Sequence, residues 1–267
     1  MSKRKNSLSQ NFVKKGYIIS DIESAKDFTR IENEVFKTIK NHLKIKKNLK
    51  RDYLFNNLHS FLNIKELNKL RLKIYRNLNS KGWFKEAYFS LASETINNIV
   101  GNELAIQNNI NFSIQMPKDE TSKLELHADS LSGESKFQVV LWVPLVNAYK
   151  TKSMYVFDKK LSKQTLQNLK KYKYKGMSAV YTRNKNKKKF LKIKKGQFLL
   201  FSPNLLHGNV KNLTQETRIS MNARFKNFFS TYGEKSLFGK RLGYFYIPFK
   251  LSPVTKFAVQ FEVPNEF

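Results

Sequence analysis

Apolar positions change period near residue 100. From Asp21 to about Lys50, Ile22, Phe28, Ile31, Val35, Phe36 and Ile39 recur near helical spacing and predict an amphipathic helix. Leu54, Phe55, Leu58 and Phe61 keep helix-like intervals over Asp52–Asn63. Lys65–Leu78 continues in that style, and Lys85–Asn97 reads as a helix ended by Asn97-Asn98 and Gly101. After Leu104 the chain breaks into short runs rich in β-branched and aromatic residues, separated by turn signals. These runs are Leu104–Ile114, Lys123–His127, Phe137–Val146, Ser153–Phe157, Met177–Thr182, Phe190–Ile193, Gln197–Phe201 and Thr217–Phe228. A Lys-rich insertion, Asp158–Lys175, carries Leu161, Leu166 and Leu169 and reads as a helix between them.

Helices followed by many short strands define an α+β chain with a mainly β core, of sandwich or barrel-like jelly-roll type. No Pro/Gly/Ser linker separates the halves, so residues 17–267 read as one domain. In it a helical part, 17–100, braces a β core, 104–228. Residues 1–16 are expected to be a flexible basic N-terminus. The apolar tail 229–267, with Phe238, Tyr244, Phe245, Tyr246, Phe249, Phe257 and Phe261, is expected to fold back on the domain, over the mouth of a site.

Composition removes several chemistries. The chain has no Cys, which excludes disulfides, thiolate zinc sites, Fe–S clusters and Cys nucleophiles. Residues Met1–Lys15 hold no apolar run of a signal peptide, and no stretch approaches the roughly 18–20 apolar residues of a membrane span. A soluble cytoplasmic protein is expected. The net charge is +30, with 41 Lys against nine Arg. Abundant Lys, Asn, Ile, Phe and Tyr are what an AT-rich coding sequence favours. Scattered Lys without an Arg–aromatic stripe counts against a dedicated nucleic-acid surface. Such a charge suits an anionic ligand, and the run Lys185–Lys189 is its densest patch.

The candidate chemistry starts at Leu124-Glu125-Leu126-His127-Ala128-Asp129, read as the end of a strand with His127 and Asp129 on one face. Only four histidines exist. His42 and His59 lie in the helical part, which leaves His207, after the turn Ser202-Pro203-Asn204, as a third ligand. Two His and one carboxylate with open positions form the facial triad of non-haem Fe(II) oxygenases. Each residue also has a plain reading: His127 as a satisfied core histidine, His207 as a loop histidine capping a turn. Arg218 weighs between them. It shares a strand face with Ser220, and its flanks Ile219, Met221 and Phe225 suggest a covered strand. An Arg directed into a β core needs an anion there, and its fork suits a carboxylate.

In this order and spacing, His127-x-Asp129, His207 and Arg218-x-Ser220 resemble the signature of Fe(II)/2-oxoglutarate-dependent dioxygenases, and within them the phytanoyl-CoA dioxygenase-like branch. Phe137–Leu145 and Lys152–Tyr155 are similar to segments of oxygenases from carbohydrate and antibiotic-sugar biosynthesis clusters. The motifs span residues 110–226. The resemblance implies a double-stranded β-helix (jelly-roll, cupin-like) braced by N-terminal helices. It implies His127, Asp129 and His207 as iron ligands, and 2-oxoglutarate and O2 as co-substrates. Arg218 and Ser220 would hold the distal carboxylate of 2-oxoglutarate, with Gln115 near its other end. Gln197 stands where the family often has an acidic residue after the glycine. Ser153-Met154-Tyr155 replaces a Gly-Ser-His-like stretch, which argues against a phytanoyl-CoA-like substrate.

The function expected on these grounds is hydroxylation of a small metabolite, such as an anionic sugar or nucleotide-sugar. The filled carboxylate position, Asp129, points away from halogenation, while desaturation and epimerisation use the same iron site. Trp142, Tyr155 and Tyr181 are candidates to stack on a sugar, with the core as the plain alternative. The competing classes are a non-catalytic cupin-like binding module and a basic protein acting on nucleic acid.

Overall fold

Helical spacing in the first hundred residues produces helices with one covered face. The structure, a computed structural model, describes residues 3–169, 176–232 and 242–262, with side chains described from residue 8. Its helices are α1 (Lys3–Lys15), α2 (Ala25–His42), α3 (Arg51–Asn56), α4 (Ile64–Asn79), α5 (Phe84–Ser90) and α6 (Ser93–Val100). Ser24 caps α2 by accepting from the Asp27 backbone N–H, and Asn63 and Glu66 form a reciprocal capping box on α4. Most of the segment expected to be flexible is α1, followed directly by strand β1 (Tyr17–Asp21). The helix expected over Lys85–Asn97 is two, because the chain turns at Leu91-Ala92. The first-turn N–H groups of Glu94 and Thr95 are then capped from a distance by the Glu23 carboxylate, at 2.7 and 3.1 Å.

The remaining strands are β2 (Leu104–Gln107), β3 (Asn111–Gln115), β4 (Gln138–Pro144), β5 (Tyr155–Val156), β6 (Lys189–Phe190), β7 (Gln197–Phe201), β8 (His207–Gly208), β9 (Arg218–Asn227) and β10 (Tyr246–Lys250). Seven of the strands form one antiparallel sheet in the order β1-β7-β4-β9-β2-β10, with β3 also on β9; β6-β5-β8 form a small second sheet. Period-2 alternation assigns the faces of the large sheet. Val139, Leu141 and Val143 of β4 and Ile219, Met221, Ala223 and Phe225 of β9 join the core shared with α2, α4 and α5. Val140 and Trp142 face the other way and pack with Met154, Val156, Leu199, Phe201 and Leu205, between the sheets. On the far side of the small sheet, Tyr155, Phe157 and Leu206 pack with residues of α7 (Lys159–Gln167) and α8 (Gly176–Asn184).

Two expected strands take other forms. Met177–Thr182 lies in α8, and Met177, Val180 and Tyr181, spaced three and four apart, are the face it turns to the core. Leu124–Asp129 is an irregular segment tied to β8 by a single bridge. His127 and His207 exchange backbone hydrogen bonds of 3.0 and 2.9 Å, Asn209 N–H donates to Leu124 O, and Asp129 then opens a 3-10 turn. In the tail, β10 extends the large sheet at β2, and α9 (Pro253–Ala258) follows; Phe238 lies outside the described residues. The tail thus closes a sheet edge, with Tyr246 packed on Ala105, Phe228 and Tyr232.

Candidate active site

The even-numbered residues of β9, Arg218, Ser220, Asn222 and Arg224, line a cavity of about 330 Å³ between the sheets. From the opposite wall come His127, Asp129, Met154, His207, Gly208 and Asn209, and from β4 Val140 and Trp142. One ligand atom each from His127, Asp129 and His207 lies within 4.8 Å of the other two, and among the described residues no other such His/Asp/Glu group exists. His127 Nε2 is 3.3 Å and His207 Nε2 3.6 Å from the same oxygen, Asp129 Oδ1.

Both imidazoles are oriented by their own backbone. His127 Nδ1 is 2.8 Å from Glu125 O, and His207 Nδ1 is 2.9 Å from Leu205 O. A carbonyl only accepts, so each Nδ1 carries a proton and each Nε2 is turned toward Asp129 Oδ1, donating to it when the ring is charged and free to ligate a metal when the ring is neutral. This is the arrangement that metal-binding histidines use. Burial depresses His207 to about 4. Burial pulls His127 down too, but the hydrogen bond and charge of Asp129 turn its net shift upward. Burial would raise Asp129; the Arg224 guanidinium, then His127 and His207, hold it far below the usual carboxylate range.

Arg224 did not stand out in the sequence. Its Nη2 donates to Asp129 Oδ2 and its Nε to Glu134 Oε2, each at 2.9 Å, while Nη1 donates to Asn222 and Gln107. Behind it, Gln138 donates to Glu134, and the Tyr246 hydroxyl donates to Gln138. One Asp129 oxygen is thus tied to an arginine and the other faces the two histidines. The signal was present: alternation on β9 that pairs Arg218 with Ser220 also reaches Arg224, three steps on.

At the other end of that strand face the polar groups are unanswered. Arg218 is 4% exposed and Ser220 1%. Neither side chain has a hydrogen bond or ion pair among the described residues, and Arg218 Nε and Ser220 Oγ are fully enclosed. Burial alone pushes Arg218 down to about 10. Gln115 sits opposite Arg218 in the β3–β9 register, donates to Val210 O at 2.7 Å and leaves its own oxygen unpartnered, but it does not line the cavity. Trp142 is in the cavity wall, whereas Tyr155 and Tyr181 stack together outside it and the Lys185–Lys189 run does not reach it.

No protein-family model matches the sequence, and no curated protein matches it. Solved structures do match in fold. The non-haem α-ketoglutarate-dependent carbocyclase SnoK from nogalamycin biosynthesis superposes with a TM-score of 0.55 at 9% identity, over 100% of this chain and 93% of its own. The nickel complex of the non-haem monooxygenase ThoJ gives 0.52 at 12% identity, over 95% and 93%. The epimerase SnoN, solved with Fe3+, α-ketoglutarate and nogalamycin RO, gives 0.50 at 11%, over 86% of each chain. The fold, helices on an antiparallel sheet, is therefore shared with these non-haem enzymes. At these identities the likeness extends to architecture, not to substrate.

Proposed function

We propose that this chain is an Fe(II)- and 2-oxoglutarate-dependent oxygenase of a small metabolite, with O2 as second co-substrate. The observation that carries the reading is the content of one cavity: a His127–Asp129–His207 cluster whose Nε2 atoms converge on one carboxylate oxygen, and a buried Arg218–Ser220 pair with no counter-anion among the described residues. The fit is chemical at both ends. Two imidazoles and one carboxylate suit a six-coordinate iron with open positions. An enclosed guanidinium beside a hydroxyl suits one carboxylate of a diacid. When bound, Fe(II) and 2-oxoglutarate supply O2 activation coupled to decarboxylation of the keto acid. The chain's own residues hold Asp129 by one oxygen through Arg224, orient both imidazoles through Nδ1, and keep water from the Arg218 end.

On this reading the two sheets are the faces of a double-stranded β-helix, and the phytanoyl-CoA dioxygenase-like branch is the nearest fit to the motif order. Gln115 is kept only as the residue beside Arg218 in the β3–β9 register. Asp129 occupies the position that a halide would need, which favours hydroxylation. A carbohydrate or nucleotide-sugar remains the proposed substrate class, with Trp142 as a possible stacking surface. The test is O2-dependent release of succinate from 2-oxoglutarate over a panel of sugar phosphates and nucleotide-sugars. Stimulation by a panel member that vanishes in His207→Ala supports the reading. Succinate release that is equal in wild type and in His207→Ala counts against it.

A further inference from the structure

The solvent end of the cavity carries two cations, neither of them held by a buried counter-charge. Arg71, half-buried on α4, and Lys123, exposed in the loop before His127, both line it, beside Ser113, Thr121 and Ser122. Arg71 hydrogen-bonds only the neutral Asn68 among the described residues. Lys123 reaches Glu125 at 3.5 Å, and that carboxylate is 79% exposed, so the pair is a weak one. Of the other loop carboxylates, Asp119 is buried and accepts from Thr121 and Ser122, and Glu120 pairs with Lys211 at 2.9 Å.

The deep part of the cavity needs neither cation. Arg224 is answered there by Asp129 and Glu134. On the oxygenase reading, a divalent metal and a doubly charged keto acid cancel, and Arg218 meets the far carboxylate of the acid. Nearby Lys152 is matched by Glu216 at 2.7 Å. The positive charge of Arg71 and Lys123 is therefore surplus to the metal and the co-substrate, and it sits where a third molecule must enter.

We infer that Arg71 and Lys123 form an anion subsite at the mouth, which binds a phosphate or carboxylate group of the substrate and leaves its uncharged part toward the metal cluster. This deepens the oxygenase reading and depends on it for the word substrate. The subsite itself can be tested without any metal. Metal-free protein is titrated calorimetrically with inorganic phosphate and, separately, with acetate at physiological ionic strength. The variants are R71Q/K123Q, the charge-preserving R71K/K123R, R218Q, and the distant surface control K46Q/K47Q.

In R218Q, which removes the buried anion site, saturable one-to-one binding is expected; it is kept when R71K/K123R or K46Q/K47Q is added and about ten-fold weaker when R71Q/K123Q is added, the loss of roughly 1.4 kcal/mol, while wild type adds a second site at Arg218. Tighter phosphate than acetate assigns a phosphorylated substrate, and the reverse order a carboxylated one. Two outcomes overturn the inference: no saturable binding of either anion in R218Q, or equal binding in R218Q with and without R71Q/K123Q. Because no metal is used, failure here leaves the oxygenase reading standing, and failure to bind Fe(II) and 2-oxoglutarate leaves the subsite standing.

Discussion

At the scale of residues, Arg218 is a charge kept in a poor place. Its burial without a partner costs stability that only a bound anion returns. Arg218→Met is expected to raise the stability of the ligand-free chain by roughly 1–2 kcal/mol in urea unfolding. It should also abolish any thermal stabilisation by 2-oxoglutarate. A less stable Arg218→Met would mean that the guanidinium has an internal role. Arg224 behaves oppositely, since two carboxylates answer it. Arg224→Gln should weaken Ni(II) binding about 10- to 100-fold, by freeing Asp129 and unpairing Glu134, and a calorimetric titration reads this directly. Proton competition has a sign as well. His127 is raised, so its protonated form contributes stability below about 6.5, which is lost as pH rises through its folded value. His207, pushed down to about 4, is already neutral there. Metal affinity should therefore rise with pH near neutrality with a slope of one proton per ion; a slope of two would show that His207 also titrates in that range.

At the scale of elements, long-range contacts decided what local pattern could not. Glu23 caps α6 from 71 and 72 residues away, through Glu94, Thr95 and the Thr95 hydroxyl. Glu23→Ala should cost about 1 kcal/mol in chemical denaturation, the usual worth of an N-cap; no change would assign the cap to solvent. The same logic explains what the sequence made legible. Period-2 alternation on a strand covered on both faces marked Arg218 and Ser220, because a polar residue there contradicts its neighbours. Scarcity marked His127 and His207 in a chain of four histidines. What failed was the reading of 124–129 as a strand: its backbone makes one bridge rather than a ladder, and the cluster forms because Asp129 turns into a 3-10 segment. Arg224 stayed hidden because its partners, Asp129 and Glu134, come from a loop 90 or more residues earlier in the chain. The α8 segment misled through β-branched and aromatic content, although its three-and-four spacing was helical.

At the scale of the whole molecule, the long strand β9 joins the two halves of the chain. One face supplies the core shared with the helices; the other supplies, in order, an anion-seeking arginine, a hydroxyl, an amide and the arginine that holds Asp129. Among the described residues, Arg71 and Lys123 bring positive charge to the cavity mouth, with the exposed Glu125 as the one acid in reach of Lys123. Among the described residues no helix is long and apolar enough to cross a membrane. The central claim, that one cavity holds a metal at His127, Asp129 and His207 and a keto-diacid at Arg218, has a direct optical test. Anaerobic addition of Fe(II) and 2-oxoglutarate should produce the weak visible charge-transfer band of a chelated keto acid. The band should be absent in His207→Ala and should require far more 2-oxoglutarate in Arg218→Met. No band in wild type, or one that survives both substitutions together, would contradict the account.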